Sequence, residues 1–112
     1  MAINKTEIFP ESDIQLAKWA KSLSHPARIS ILRTLAQRKS CICGEIVEVL
    51  PLAQATVSQH LKELKSVGLI KGEVEGKKSC YCINWESINA FNSHFAGFMQ
   101  ELLEYQPKNK CC

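Results

Sequence analysis

Leu52–Ile70 reads LAQATVSQHLKELKSVGLI, and this stretch decides the fold. Val57, Leu61 and Leu64 fall at i, i+4 and i+7, so one face of a helix turns inward. The other face carries Gln54, Thr56, Ser58, Gln59, His60 and Lys62, with no acid before Glu63. Surface helices usually mix acids with bases. A row of amides and hydroxyls instead suits hydrogen bonding to base edges in a DNA groove. Gly68 stands where a left-handed residue ends a helix.

Just upstream, a short helix over roughly residues 42–49 stops near Leu50-Pro51. Two helices so joined make a helix-turn-helix. Before them, Ser12 or Asp13 caps a first helix bearing Ile14, Leu16, Ala17, Trp19, Ala20 and Leu23. Ser24-His25-Pro26 restarts the chain with a capping hydroxyl and a proline suited to a first helical turn. His25 reads as a cap or packing residue. The helix that follows runs to about Lys39, with Ala27, Ile31, Leu32, Leu35 and Ala36 inward.

Downstream, β-like runs at 69–74 and 79–83 flank Glu75-Gly76-Lys77-Lys78, the mark of a hairpin. Lys71, Lys77 and Lys78 place positive charge on this wing, beside the groove-reading helix, for contact with phosphates. Trp85 to Tyr105 reads as a final helix, with Ile88, Phe91, Phe95, Phe98 and Leu102 three or four apart. Met99 and Leu103 widen this stripe. Its length and aromatic weight suit a subunit interface. His94 is read as a surface or interface residue. The fold class is thus mainly α with a β-hairpin wing.

The 112 residues suit one domain, 1–112, with a loose arm at 1–11 and a polar tail at 106–112. A net charge of +3 is too small to argue for nucleic acid by itself. No apolar run reaches membrane-spanning length, and MAINKTEIFPESD lacks the apolar core of a signal peptide. A cytoplasmic protein with no membrane partner is expected. In that reducing compartment six cysteines do not read as structural disulfides. They occur as Cys41/Cys43, Cys80/Cys82 and Cys111/Cys112.

Thiolates select soft ions: arsenite, antimonite, cadmium, lead or monovalent copper. Inside a regular helix Cys41 and Cys43 point about 200° apart and cannot share an ion. At a helix start, before the backbone turns helical, both sulfurs converge. Coordination there pulls on the helix-turn-helix itself, a direct route from ion to DNA affinity. Trivalent arsenic takes three sulfurs, so Cys111 and Cys112 are candidates to complete the site from the tail, of either subunit. Cys80 and Cys82, on one face of a strand, are candidates for the same site or another. The alternative for Cys41/Cys43 and Cys80/Cys82 is plain packing of small apolar side chains, and for Cys111/Cys112 tail chemistry with no sensing role.

The segments LSHPARISILRTL, CICGEIV, QATVSQHLKELKSVGLI and EVEGKKSCYCIN together resemble the ArsR/SmtB family of bacterial metal-sensing repressors. The resemblance spans roughly residues 14–104, in the family's order. Many winged-helix regulators share the helix-turn-helix; its combination with C-x-C just upstream is more specific. The resemblance implies a winged helix whose first and last helices form a homodimer, and repression of a metal or metalloid resistance operon. It also implies release of DNA when inducer binds. Cys41 and Cys43 match the C-x-C of members that sense arsenite, antimonite, cadmium or lead. Gln54, Thr56, Ser58, Gln59 and His60 fall on the recognition helix. Ala53 stands where a capping serine is common. The acid and histidine pairs of zinc-sensing members are not matched by His94, Glu101 and Glu104.

The sequence therefore points to a homodimeric repressor on a near-palindromic double-stranded operator, released when a thiophilic ion binds. No cofactor is needed for folding. A second reading keeps the DNA binding but makes the thiols a redox switch. A third, a small thiol enzyme or metal carrier, lacks C-x-x-C, a phosphate-binding glycine loop or a catalytic carboxylate pair. Catalysis is not indicated.

Overall fold

The computed structural model describes residues 8–38, 41–43, 53–73 and 80–108. In chain order these form α1 (Glu11–Ser22), α2 (Pro26–Arg38), β1 (Ile42–Cys43), α3 (Gln54–Ser66), β2 (Ile70–Glu73), β3 (Cys80–Ile83) and α4 (Trp85–Glu104). The strands make an antiparallel sheet in the order β1-β3-β2. This is the expected mainly helical winged architecture, with one strand more than the sequence suggests.

That strand is a correction. Ile42 was the expected start of a short third helix, yet Ile42–Cys43 is extended and pairs with β3, Ile42 opposite Tyr81 and Cys43 opposite Cys80. A β-branched residue with Gly44 two positions on is a poor helix start, and the ladder supplies hydrogen bonds that a lone first turn lacks. The remainder of the expected helix, residues 44–49, lies outside the described residues, as do residues 50–52, the hairpin tip at 74–79 and the arm up to residue 7.

Helix starts differ from expectation for local reasons. In α1 the first turn begins at Glu11, ahead of both expected caps. The Pro10 carbonyl accepts from the N–H groups of Asp13 and Ile14 at 3.1 Å each. Glu11 and Asp13 then sit in the first turn and Lys21 in the last, each favourable to the helix dipole. At α2 the His25 ring, rather than the Ser24 hydroxyl, receives a backbone proton: Ala27 N–H donates to Nδ1 at 3.0 Å. Asn84 caps α4 by accepting from Ser87 N–H at 3.3 Å.

The end of α3 follows the sequence closely. Gly68 has φ +81°, its N–H donates to the Lys65 carbonyl at 2.9 Å, and Leu69 N–H donates to the Leu64 carbonyl at 3.1 Å. These paired bonds are those of a Schellman motif, which needs a left-handed residue at that position. Gly72, in β2, has φ +120°, and a Cβ there would run into the Cys80 backbone. The close approach of β2 to β3 therefore depends on glycine.

The core gathers one face from every long element except α4: Trp19, Ile31, Leu35, Val57, Leu61, Leu64, Leu69, Ile70, Tyr81 and Ile83. Trp19 is the joint between the two ends of the chain. Its indole N–H donates to the Val67 carbonyl at 3.0 Å, and its ring lies 5.4 Å from Phe91 and 5.6 Å from His94. Through this contact α1 and α4 pack together. No residue of α4 is fully buried. No helix among the described residues is long and apolar enough to cross a membrane.

Candidate nucleic-acid interface and its thiols

The inner stripe of α3 packs into the core. Val57, Leu61 and Leu64 are buried as the periodicity predicts. Thr56, Gln59 and Lys62 are exposed on the opposite side and Ser58 is half-buried beside them. Gln59 Nε2 donates to Glu63 Oε1 one turn on, at 3.3 Å. Gln54 opens the helix, but its side chain lies outside the described residues. Ala53 precedes it with no side-chain cap, and the first turn holds no acid. An uncapped helix start with no acid nearby is electrostatically suited to anions such as phosphate.

His60 does not belong to this outer face. It is 7% exposed, and its Nδ1 accepts from Arg28 Nε at 3.1 Å. Three residues after Val57 is one turn less 60°, so His60 falls within the apolar stripe rather than opposite it. Its ring lies 4.4 Å from that of His25, and Arg28 also donates to the Ser22 carbonyl at 3.3 Å. A polar knot of Ser22, His25, Arg28 and His60 thus ties the start of α2 to the middle of α3. Sequence reading missed this knot; the signal was the i+3 spacing of His60 from Val57.

Burial first, and then electrostatic interaction with the neighbouring His25 ring and the Arg28 guanidinium, lower the pKa of His60 below its ordinary 6.5. Folding therefore favours neutral His60. Its contribution is fully present above pH 6.5, where the unfolded chain is also neutral, and is lost as pH falls through the lowered folded value. Thermal melts across this range should show the midpoint falling on acidification. His60→Asn, which does not titrate, should flatten that fall; an unchanged slope in the variant would assign it to other groups.

The described thiols gather on the sheet that also carries the wing. Lys71 is exposed on β2, whereas Lys77 and Lys78 lie outside the described residues. Cys41, immediately before β1, is disulfide-bonded to Cys82 of β3, with Cα atoms 4.3 Å apart. Cys80 is disulfide-bonded as well. The sequence treats Cys41/Cys43 and Cys80/Cys82 as separate pairs; the ladder brings the two C-x-C segments alongside each other. Two identical spacings around an apolar residue, C-I-C and C-Y-C, were the available signal of paired strands. Cys111 and Cys112 lie outside the described residues. With these disulfides formed, the described residues hold no ready group of three or more metal-binding side chains. Thiolate ligation requires the bonds reduced.

Comparison with known proteins places this geometry. A family model described as a helix-turn-helix domain matches residues 23–73. The HTH-type transcriptional regulator YgaV of Escherichia coli K12 is 33% identical over 76 residues, covering 68% of this chain and 77% of that protein. The arsenical resistance operon repressor of Bacillus subtilis 168 is 36% identical over 74 residues, covering 65% of this chain and 70% of that protein. An ArsR-like transcriptional regulator from Rhodococcus sp. RHA1 shares the fold, with TM-score 0.69 at 20% identity over 85% of this chain and 89% of that one. These similar proteins are transcriptional regulators rather than enzymes. A buried-backed polar helix, a wing at its side and relatives of this kind lead to one conclusion: the chain belongs to the ArsR/SmtB family of winged helix-turn-helix transcriptional regulators, which bind DNA.

Proposed function

We propose that the protein is a homodimeric repressor of a metal or metalloid resistance operon. It leaves its operator when a thiophilic ion binds the thiolates of Cys41 and Cys43. Arsenite or antimonite is the leading inducer, with cadmium and lead as further ions of the same soft class. The observation that carries this reading is the place of β1. It precedes α3 in the chain and pairs with β3 of the wing, so an ion held there acts on both elements that meet DNA. The arsenical operon repressor of Bacillus subtilis supports the choice of metalloid.

On DNA, Gln54, Thr56, Ser58 and Gln59 are the groups for base edges, with Lys62 and the wing residues Lys71, Lys77 and Lys78 for phosphates. His60, being buried, has no part in this contact. The thiols must be reduced for ligation, so the protein works in the cytoplasm.

A second reading has its own observation, the Cys41–Cys82 disulfide. Two thiols and one peroxide would give this disulfide and two waters, making the cross-strand bond an oxidation switch. Fluorescence anisotropy of the labelled DNA upstream of the protein's own gene separates the readings. Under full reduction, arsenite should dissociate the complex, and Cys41→Ser or Cys43→Ser should bind DNA normally but resist arsenite. Release by peroxide alone would favour the redox switch. Release of the serine variants by arsenite would remove Cys41 and Cys43 from the mechanism.

A further inference from the structure

The two C-x-C segments occupy adjacent strands in antiparallel register. Ile42 faces Tyr81 across the ladder, and Tyr81 is 2% exposed in the core. Residues next to Tyr81 along β3 point the other way. Cys80 and Cys82 are accordingly half-buried on the outer face, where Cys82 meets the exposed Cys41. Cys43 stands opposite Cys80 in the same ladder. Lys71 is the partner of Cys82 on the other side of β3, and Glu73 that of Cys80.

We propose that Cys41, Cys43, Cys80 and Cys82, once reduced, form a single thiolate site within one subunit, and that it takes a soft divalent cation on four sulfurs. The proposal rests on the reading that this protein responds to thiophilic ions; what it adds is the wing's share in the ligand set. Sulfurs in a tetrahedral thiolate site stand about 3.8 Å apart, given metal–sulfur bonds of about 2.3 Å. Directly opposed residues in a ladder have Cβ atoms about 4.5–5.5 Å apart, so each cross-strand pair spans that distance without backbone movement. Neighbours along one strand, about 6.6 Å apart, need only lean together. The contact already made by Cys41 and Cys82, directly across the strands, shows that the reach exists at one end of the site.

Charge fits the same assignment. Four thiolates around a divalent ion leave a net negative cluster, and the Lys71 ammonium is placed next to Cys82 to offset it. The site draws its selectivity from the soft sulfur ligands. An ion held by both strands clamps the wing to the segment that leads into the DNA-reading helix. Neither the tail cysteines nor a second subunit is needed to complete it.

Cadmium is the probe. Reduced full-length protein is titrated with it, reading the ultraviolet thiolate-to-cadmium absorption and the number of thiols shielded from a thiol reagent. The expected result is four thiols shielded per subunit, unchanged in Cys111→Ser/Cys112→Ser. Cys80→Ser/Cys82→Ser should lose half the absorption per ion and at least about tenfold in affinity, a loss that even outer-shell changes reach. Operator binding without cadmium should be unchanged in that variant, which reports its fold. Unchanged absorption and affinity would overturn the four-sulfur site while leaving ion-driven release through Cys41 and Cys43 intact. Loss of operator binding without the ion would also overturn it, by showing the β3 cysteines to be structural. Ion-driven release that survives in Cys41→Ser/Cys43→Ser would instead sink the reading on which the proposal rests.

Discussion

Phe98→Glu/Leu102→Glu is expected to convert the protein to a monomer and lower operator affinity by about 10³-fold or more, the least by which specific binding usually exceeds non-specific binding. The reason is the composition of α4. Its twenty residues make a rod about 30 Å long. Phe95, Phe98, Met99, Leu102 and Leu103 are each 41–54% exposed along it. Among the described residues, only the N-terminal half, through Ile88, Ala90 and Phe91, packs on the core. A contiguous apolar strip of that length beyond the core marks an interaction surface. Homodimerisation through it is our proposal, in line with the family's fold.

Phe98 and Leu102 lie four apart on that strip, so two glutamates place like charges face to face across a two-fold axis. The substitutions touch nothing in the core, and the far-ultraviolet circular dichroism of the variant should match the parent. Sedimentation reads the oligomeric state and anisotropy the affinity. A variant that stays dimeric would move the interface elsewhere. A monomer that still binds its operator tightly would show that one recognition helix suffices.

How far the sequence reveals this molecule depends on the range over which each signal acts. α3 and its closing glycine are legible because periodicity and the Schellman turn are local: Val57, Leu61, Leu64 and Gly68 specify them within fifteen residues. The inner face of α2 is legible for the same reason, at Ala27, Ile31 and Leu35. β1 is not. Ile42 and Cys43 become a strand only because Tyr81 and Cys80 lie opposite, and a partner nearly forty residues away leaves no local trace. The site inherits this limit. Each C-x-C is visible alone, but the pairing that makes them neighbours is a tertiary fact. His60 is a different case: local geometry already placed it inward, and its polarity outweighed its spacing in the reading. Its burial is tolerated because Arg28 donates to Nδ1, although Nε2 finds no partner among the described residues.

Leu64→Ala is expected to destabilise the protein by about 2–5 kcal/mol, the range for deleting a fully buried leucine side chain. Leu64 is 0% exposed, and its own carbonyl closes the Schellman bond from Leu69 N–H. The side chain belongs to the same buried cluster as Leu61, Leu69 and Ile70, near where α3 turns into β2. A cavity at that corner loosens the recognition helix and the wing together. Domains of this size have only about 5–15 kcal/mol in hand, and each kcal/mol moves the midpoint by roughly 4–8 °C. A loss of about 8 °C or more in thermal melts, the least these figures imply, is the expected reading at fixed protein concentration, since dimerisation shifts the midpoint by mass action. Operator affinity measured well below the new midpoint separates two consequences. If it falls too, the rigid seating of α3 is part of DNA recognition. If only the midpoint falls, Leu64 serves stability alone, and specificity resides in the outer face of Thr56, Ser58 and Gln59.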